Sequence, residues 1–215
     1  MRVQFSPRAP RCARRKRILP NLEMKNKNLA DFLFEATTLK RLQRTGWQIL
    51  GGGNKESVAD HSYMVAVISL ILAEELKAKK EKVLEMALFH DFSETRTGDV
   101  YKLADLYVKT DEIKAAKDSF SNLPSSSKIV GLIKEYDEGK TLEARIVHDA
   151  DNLALILELK HLMENGNTNA GEWFEANKDR LKLKESKELF EEIKKSNSQN
   201  WWKKERQIIH KRYKK

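Results

Sequence analysis

The sequence has one cysteine, four prolines and no long apolar run. Cys12 stands alone, so no disulfide can form within the chain and no thiolate metal site can form in its body, which suits a cytoplasmic, reducing environment. Apolar residues come in short periodic groups, never in the run of about 20 that a membrane-spanning helix needs. Glycine is sparse and no strand-like alternation appears, while Leu, Lys, Glu and Ala dominate. The expected fold class is therefore all-α. With 215 residues there is room for one domain with a full core, and no internal repeat is visible.

Acidic residues are missing from one end. Residues 1–22 carry Arg2, Arg8, Arg11, Arg14, Arg15, Lys16 and Arg17 and no acid, which accounts for +7 of the net charge of +9. The rest is nearly neutral, so the basic balance is no argument for nucleic-acid binding by the fold, and none is expected. The head lacks the apolar run of a secretory signal. It fits a disordered tail, an Arg-rich targeting segment, or upstream sequence before a natural start at Met24, and the position of Met24 just before the first helical pattern favours the last. The expected organisation is a basic head over residues 1–23 and one folded domain over 24–215.

Within that domain the apolar spacing predicts a first helix from Asn28 to Gln43. Arg44-Thr-Gly-Trp47 breaks it, and Gly51-Gly-Gly-Asn54 reads as a flexible turn, since the pattern of a phosphate-binding loop is absent. Ser57-Val-Ala-Asp60 reads as a capping box with Asp in place of Glu. It opens a helix whose buried stripe is headed by His61, followed by Val65, Ile68 and Leu72. Further helices are predicted from Lys80 to Asp91, over Leu103 to Phe120, from Pro124 to Tyr136 with a stop at Asp137-Glu-Gly139, and from Thr141 to Met163. After a loop at Asn165–Asn169, a shorter helix starts at Trp173-Phe174. Residues 184–213 read as one charged amphipathic helix, with Trp201-Trp202 placed to pack on the body or on a second subunit.

The chemistry gathers around Glu85-Met-Ala-Leu-Phe-His-Asp-Phe-Ser-Glu-Thr-Arg-Thr-Gly-Asp99. His90 and Asp91 end an apolar helix, and Glu94 lies one turn on. If the helix continues, all three face one side before Gly98-Asp99 stops it. Imidazole and carboxylate are donors that zinc, manganese, iron and cobalt accept; taken alone, the pair also fits a helix C-terminus where histidine favours the dipole. On the long helix two aspartates differ in their neighbours. Asp149 has Arg145 four residues before it and reads as a surface pair. Asp151 is flanked by Val147, Ala154 and Leu155 and projects from an apolar face, where a lone carboxylate would cost several kcal/mol without a partner. His148 reads as a solvated residue, with a supporting role beside Asp151 as the alternative.

The order His61, His90-Asp91, Asp151 resembles the HD-domain metal-dependent phosphohydrolases. The words Glu56-Ser-Val-Ala-Asp-His61-Ser, His90-Asp-Phe-Ser-Glu94, Thr97-Gly-Asp99 and Arg44-Thr-Gly-Trp47 are similar to the 5′-deoxynucleotidase branch, over about residues 28–165. The resemblance implies an all-helical domain holding one divalent ion through His61, His90, Asp91 and Asp151. It implies Glu94 as the catalytic carboxylate, Asp99 at the sugar hydroxyl, Trp47 near the nucleotide, a nucleoside 5′-monophosphate substrate and a homodimer. Bacterial members carry an arginine directly before the tryptophan. Here that position is Gly46, and Arg44 is the candidate phosphate ligand. The alternatives are another HD phosphohydrolase activity, on cyclic nucleotides, nucleoside triphosphates or guanosine polyphosphates, or a non-catalytic nucleotide-binding protein.

Overall fold

The computed structural model describes residues 20–51 and 55–213. The expected basic head lies outside the described residues apart from Pro20–Glu23, as do Gly52, Gly53 and Asn54 of the glycine-rich turn. The described residues form α1 (Pro20–Ala36), α2 (Val58–Glu75), α3 (Lys80–Phe89), α4 (Glu94–Thr97), α5 (Glu112–Phe120), α6 (Ser126–Glu138), α7 (Leu142–Glu164), α8 (Ala170–Lys178), α9 (Lys184–Lys195) and α10 (Lys203–Arg212). No strand occurs among them; one isolated antiparallel bridge joins Gln43 to Ser57. The all-α class holds. No helix of the described residues is long and apolar enough to cross a membrane.

Several helix limits differ from the sequence expectation. α1 starts at Pro20, eight residues before Asn28, and ends at Ala36 rather than Gln43. Proline is a favoured first helical residue because its missing N–H is unsatisfied there anyway. Thr37 and Thr38 turn their hydroxyls back onto Phe34 O and Glu35 O, and the chain tightens into a 3₁₀ turn at Thr37–Lys40. The 103–120 pattern is helical only from Glu112, with a single 3₁₀ turn at Ala104–Leu106 before it. The C-terminal pattern breaks between α9 and α10 at the polar Ser196–Gln199 run, where Glu164 accepts from the Ser198 amide and hydroxyl.

Other local readings hold. The Ser57 side chain accepts from the Asp60 amide while Asp60 accepts from Ser57, a reciprocal cap at the start of α2. Gly98 at φ 75° ends α4 and Gly139 at φ 61° ends α6, positions where a side chain would be strained.

α7 packs along α2, with α3 beside both. Val65, Leu72, Met86, Ile146, Leu153 and Ile156 form the main core, which Phe174, Leu181 and Phe190 extend through α8 and α9. A second core lies under α1, α5 and α6. Phe92 stacks on Phe32 at 5.2 Å and meets Phe120 at 4.7 Å. Ala87 belongs to the first core and Phe92 to the second, so the segment that carries His90 and Asp91 joins the two.

Asp149 overturns the expectation of a surface pair with Arg145. It is fully buried. Its carboxylate accepts from the amides of Lys182 and Leu183 at 2.8–3.1 Å. These amides lie at the start of α9, so Asp149 ties α7 to the α8–α9 junction. Arg145 instead donates to Lys140 O.

Candidate metal and phosphate site

Four elements converge at one end of the α2–α7 pair. α2 supplies His61 from its first turn, the turn after α3 supplies His90 and Asp91, α4 opens with Glu94, and α7 supplies Asp151 from near its middle. One donor atom each of His61, His90 and Asp151 lies within 4.8 Å of the others. Asp91 stands beside this set, with Oδ2 3.2 Å from His90 Nε2 and 3.4 Å from an Arg44 Nη1.

The hydrogen bonds fix which nitrogen faces the cluster. His90 Nδ1 donates to Ala87 O at 2.8 Å. A carbonyl can only accept, so Nδ1 carries the proton and a neutral ring presents the Nε2 lone pair. Among the described residues that buried Nε2 makes no hydrogen bond, although Asp91 Oδ2 lies 3.2 Å away. His61 Nε2 lies 2.9 Å from Asp151 Oδ1, and its Nδ1 lies 3.7 Å from Glu56 Oε1. Glu56 in turn accepts from Trp47 Nε1 at 2.8 Å. An orphaned imidazole nitrogen, a second imidazole and a carboxylate converging in this way form a donor set that fits a divalent cation. The Ala87 carbonyl behind His90 is the usual support for a ligating ring.

The electrostatics favour an added positive charge. Burial and Arg44 pull the His61 pKa down, but hydrogen bonds to Asp151 and Glu56 prevail and raise it to about 9. Burial pulls His90 down too, and the Asp91 charge pushes it above the ordinary value. Burial opposes ionisation of Asp151, yet the bond from His61 and the charges of both imidazoles and Arg44 hold it well below the carboxylate range. A cation bound at the imidazoles competes with protons for their nitrogens. Glu94 behaves in the opposite way. Burial, then the charges of Asp91 and Asp99, push it up to about 10, and its buried Oε2 has no hydrogen-bond partner among the described residues.

A cavity of about 440 Å³ opens in front of these groups, within the size range of small-ligand sites. Arg44, Trp47, Asp91, Glu94, Asp99 and Asp151 all line it, while His61 and His90 are buried behind. Arg44 is brought in by the Gln43–Ser57 bridge, where its amide donates to Glu56 O at 3.0 Å. Trp47 is almost wholly buried, with its ring edge committed to Glu56. Asp99 Oδ2 accepts from the amide and hydroxyl of Thr45, which ties the 98–99 loop to the Arg44–Trp47 turn.

Sequence reasoning missed Glu56, Tyr136 and the true setting of His148. Glu56 stood inside a motif word and drew no role, although a carboxylate five residues before a buried histidine is a usable signal. Tyr136 read only as a helix end, yet its hydroxyl donates to Asp151 Oδ2 at 3.2 Å. His148 is not solvated as expected. It stacks on the Tyr136 ring at 4.0 Å and donates from Nε2 to Tyr136 O at 2.7 Å.

Comparison with known proteins bears on the family. The HD domain family matches residues 36–195. A 5′-deoxynucleotidase HDDC2 from Xenopus laevis is 32% identical over 138 residues, covering 61% of this chain and 68% of that protein. Its counterpart from Danio rerio is 30% identical over 137 residues, covering 61% and 68%. A solved structure of a conserved hypothetical protein from Pyrococcus furiosus superposes with a TM-score of 0.68 at 37% identity, covering 78% of this chain and 99% of that one. On the family match and these relatives together, the chain belongs to the HD domain family.

Proposed function

We propose that the protein is a metal-dependent phosphohydrolase that removes the 5′-phosphate from deoxyribonucleoside monophosphates. The observation that carries this reading is the convergence of His61, His90 and Asp151 behind a cavity lined by Arg44 and Glu94. The name 5′-deoxynucleotidase borne by its relatives narrows the substrate. One divalent ion, manganese, cobalt, iron or zinc, would be held by His61, His90, Asp91 and Asp151. Such an ion lowers the pKa of bound water and neutralises charge on phosphoryl oxygens.

The remaining roles belong to side chains at the cavity wall. Arg44 pairs with Asp91 and presents a fixed positive charge to the phosphate. Glu94 is held protonated by burial and by the Asp91 and Asp99 charges. Positive charge entering the cavity offsets that effect, so the carboxylate forms in the loaded site and orients or deprotonates the attacking water. Asp99 commits Oδ2 to Thr45, which leaves Oδ1 to accept from a sugar hydroxyl. Trp47 is a wall of the nucleotide cavity and is locked by Glu56.

The protein acts in the cytoplasm as a homodimer in this reading. Support for the dimer is the exposed stripe Tyr63, Val67, Leu70 and Ile71 on α2, at the spacing of one helix face. Ile71→Glu should shift the dimer to monomer in light scattering, and an unchanged mass would remove that face from consideration.

The deciding experiment is phosphate release from a panel of deoxy- and ribonucleoside 5′-monophosphates by metal-stripped protein given back each ion. Faster release from the deoxynucleotides is expected. Equal rates on both sugars, or activity only on cyclic nucleotides, triphosphates or guanosine polyphosphates, would discard the substrate assignment and leave the family.

A further inference from the structure

Asp151 is held by two donors, one on each oxygen. His61 Nε2 is 2.9 Å from Oδ1 and the Tyr136 hydroxyl is 3.2 Å from Oδ2. The two donors have different futures. A ligating imidazole carries no proton on its coordinating nitrogen. His61 Nδ1 faces Glu56, so Nε2 is the nitrogen available to the cluster. His61 therefore cannot ligate through Nε2 and donate from it to Asp151 at the same time. Among the described residues, the Tyr136 hydroxyl is then the remaining side-chain donor to Asp151.

Tyr136 is itself rigidly placed. Its carbonyl, near the end of α6, accepts from both the Gly139 amide at 2.9 Å and His148 Nε2 at 2.7 Å. Its ring is stacked on His148 at an interplanar angle of 18° and meets the His90 ring nearly edge-on at 5.3 Å. His148 in turn fits against Gly139, where an added Cβ would lie 3.4 Å from His148 Nε2. Tyr136 on α6, the α6 cap Gly139 and His148 on α7 thus together aim one hydroxyl at one carboxylate oxygen.

We propose that Tyr136 is a positioning residue for the metal ligand Asp151, taking over from His61 as the donor that orients this carboxylate when the ion is bound, with His148 as the brace that fixes Tyr136. The proposal rests on the metal-site reading above. Donors behind metal ligands typically contribute about 10–100-fold in affinity, and a two-donor hold that loses one member makes the other decisive.

The test is titration of the metal-stripped full chain with Mn²⁺ alone, by calorimetry, for wild type, Tyr136→Phe and His148→Ala. Phenylalanine keeps the ring packing and removes only the hydroxyl. Tyr136→Phe should raise the Mn²⁺ Kd by about 10–100-fold, leave the melting temperature of the stripped protein close to wild type, and regain most of its kcat when Mn²⁺ is saturating. His148→Ala should raise the Kd by a smaller factor, because the hydroxyl stays but loses its brace. A merely structural role would instead lower the stripped protein's melting temperature and leave Kd unchanged. Equal Kd values in wild type and Tyr136→Phe would overturn this inference alone. If Tyr136→Phe fails to fold, an unchanged Kd in His148→Ala overturns it. No binding by the wild type would overturn the metal reading, and the inference with it.

Discussion

Asp149 and Asp151 stand two positions apart on α7, about 200° apart around the helix, and their fates are opposite. Asp149 points behind the helix and is saturated by the amides of Lys182 and Leu183. Asp151 points into the cavity, where its donors are the ring of His61 and the hydroxyl of Tyr136. Glu35 and Glu94 repeat the contrast at the two sides of α4. Glu35 accepts from Thr95, Arg96 and Ser119 and its pKa falls to about 2, the Arg96 bond being the largest cause. Glu94, next to Thr95 in sequence, has a buried oxygen with no hydrogen-bond partner among the described residues and rises to about 10. A buried carboxylate with its donors supplied joins one element to another. One left short of donors is available for chemistry.

The contrast breaks or holds on four variants, taken from the largest effect to the smallest. Asp151→Ala should lose the bound ion and abolish phosphate release, whereas Asp149→Ala should keep its ion; metal analysis of the two purified proteins decides, and the reverse pattern would exchange their roles. Glu94→Gln retains shape and reach but removes the basic oxygen, so turnover should fall about 10²–10⁴-fold with metal content unchanged. Loss of the ion would make Glu94 a ligand, and normal turnover would remove it from the reaction. Asp149→Ala should cost about 2–4 kcal/mol in denaturant unfolding, because it removes the buried carboxylate that the Lys182 and Leu183 amides donate to. Glu35→Gln should cost about 1 kcal/mol, reduced because Arg96 is partly exposed. Since the folded-state pKa of Glu35 is depressed from 4.5 to about 2, its contribution is complete above about pH 5 and is lost as pH falls through 2. The stability gap between wild type and Glu35→Gln should therefore close between those limits, and a gap that widened on acidification would contradict the assignment.

The cavity side of this comparison was largely legible in the sequence, and the other side was not. His61 and Asp151 each interrupt an apolar helical stripe, and a polar group among buried neighbours is visible from spacing alone. Asp149 was misread because its partners, Lys182 and Leu183, are more than thirty positions away and act through backbone amides, which no side-chain pattern advertises. Arg145 offered a plausible local partner that the folded chain does not use. Tyr136 and His148 were hidden for a related reason, since a helix end and a half-buried histidine have many ordinary uses. Helix limits failed where hydrogen bonds from short polar side chains compete with the ladder, as at Thr37 and Thr38. The start of α1 was readable from Pro20 and was passed over because the apolar stripe begins later.

The four tryptophans divide in the same way, and the division has an optical consequence. Trp47 and Trp173 line the cavity, the first held through Nε1 by Glu56. Trp201 is 83% exposed, and Trp202 lies under the Arg206 guanidinium at 5.1 Å. An aqueous quencher therefore meets Trp201 first and silences it, which raises the share of emission that comes from the cavity pair. With that background suppressed, the protein carries its own fluorescent reporter of what enters the site, and filling of the cavity can be followed without a label.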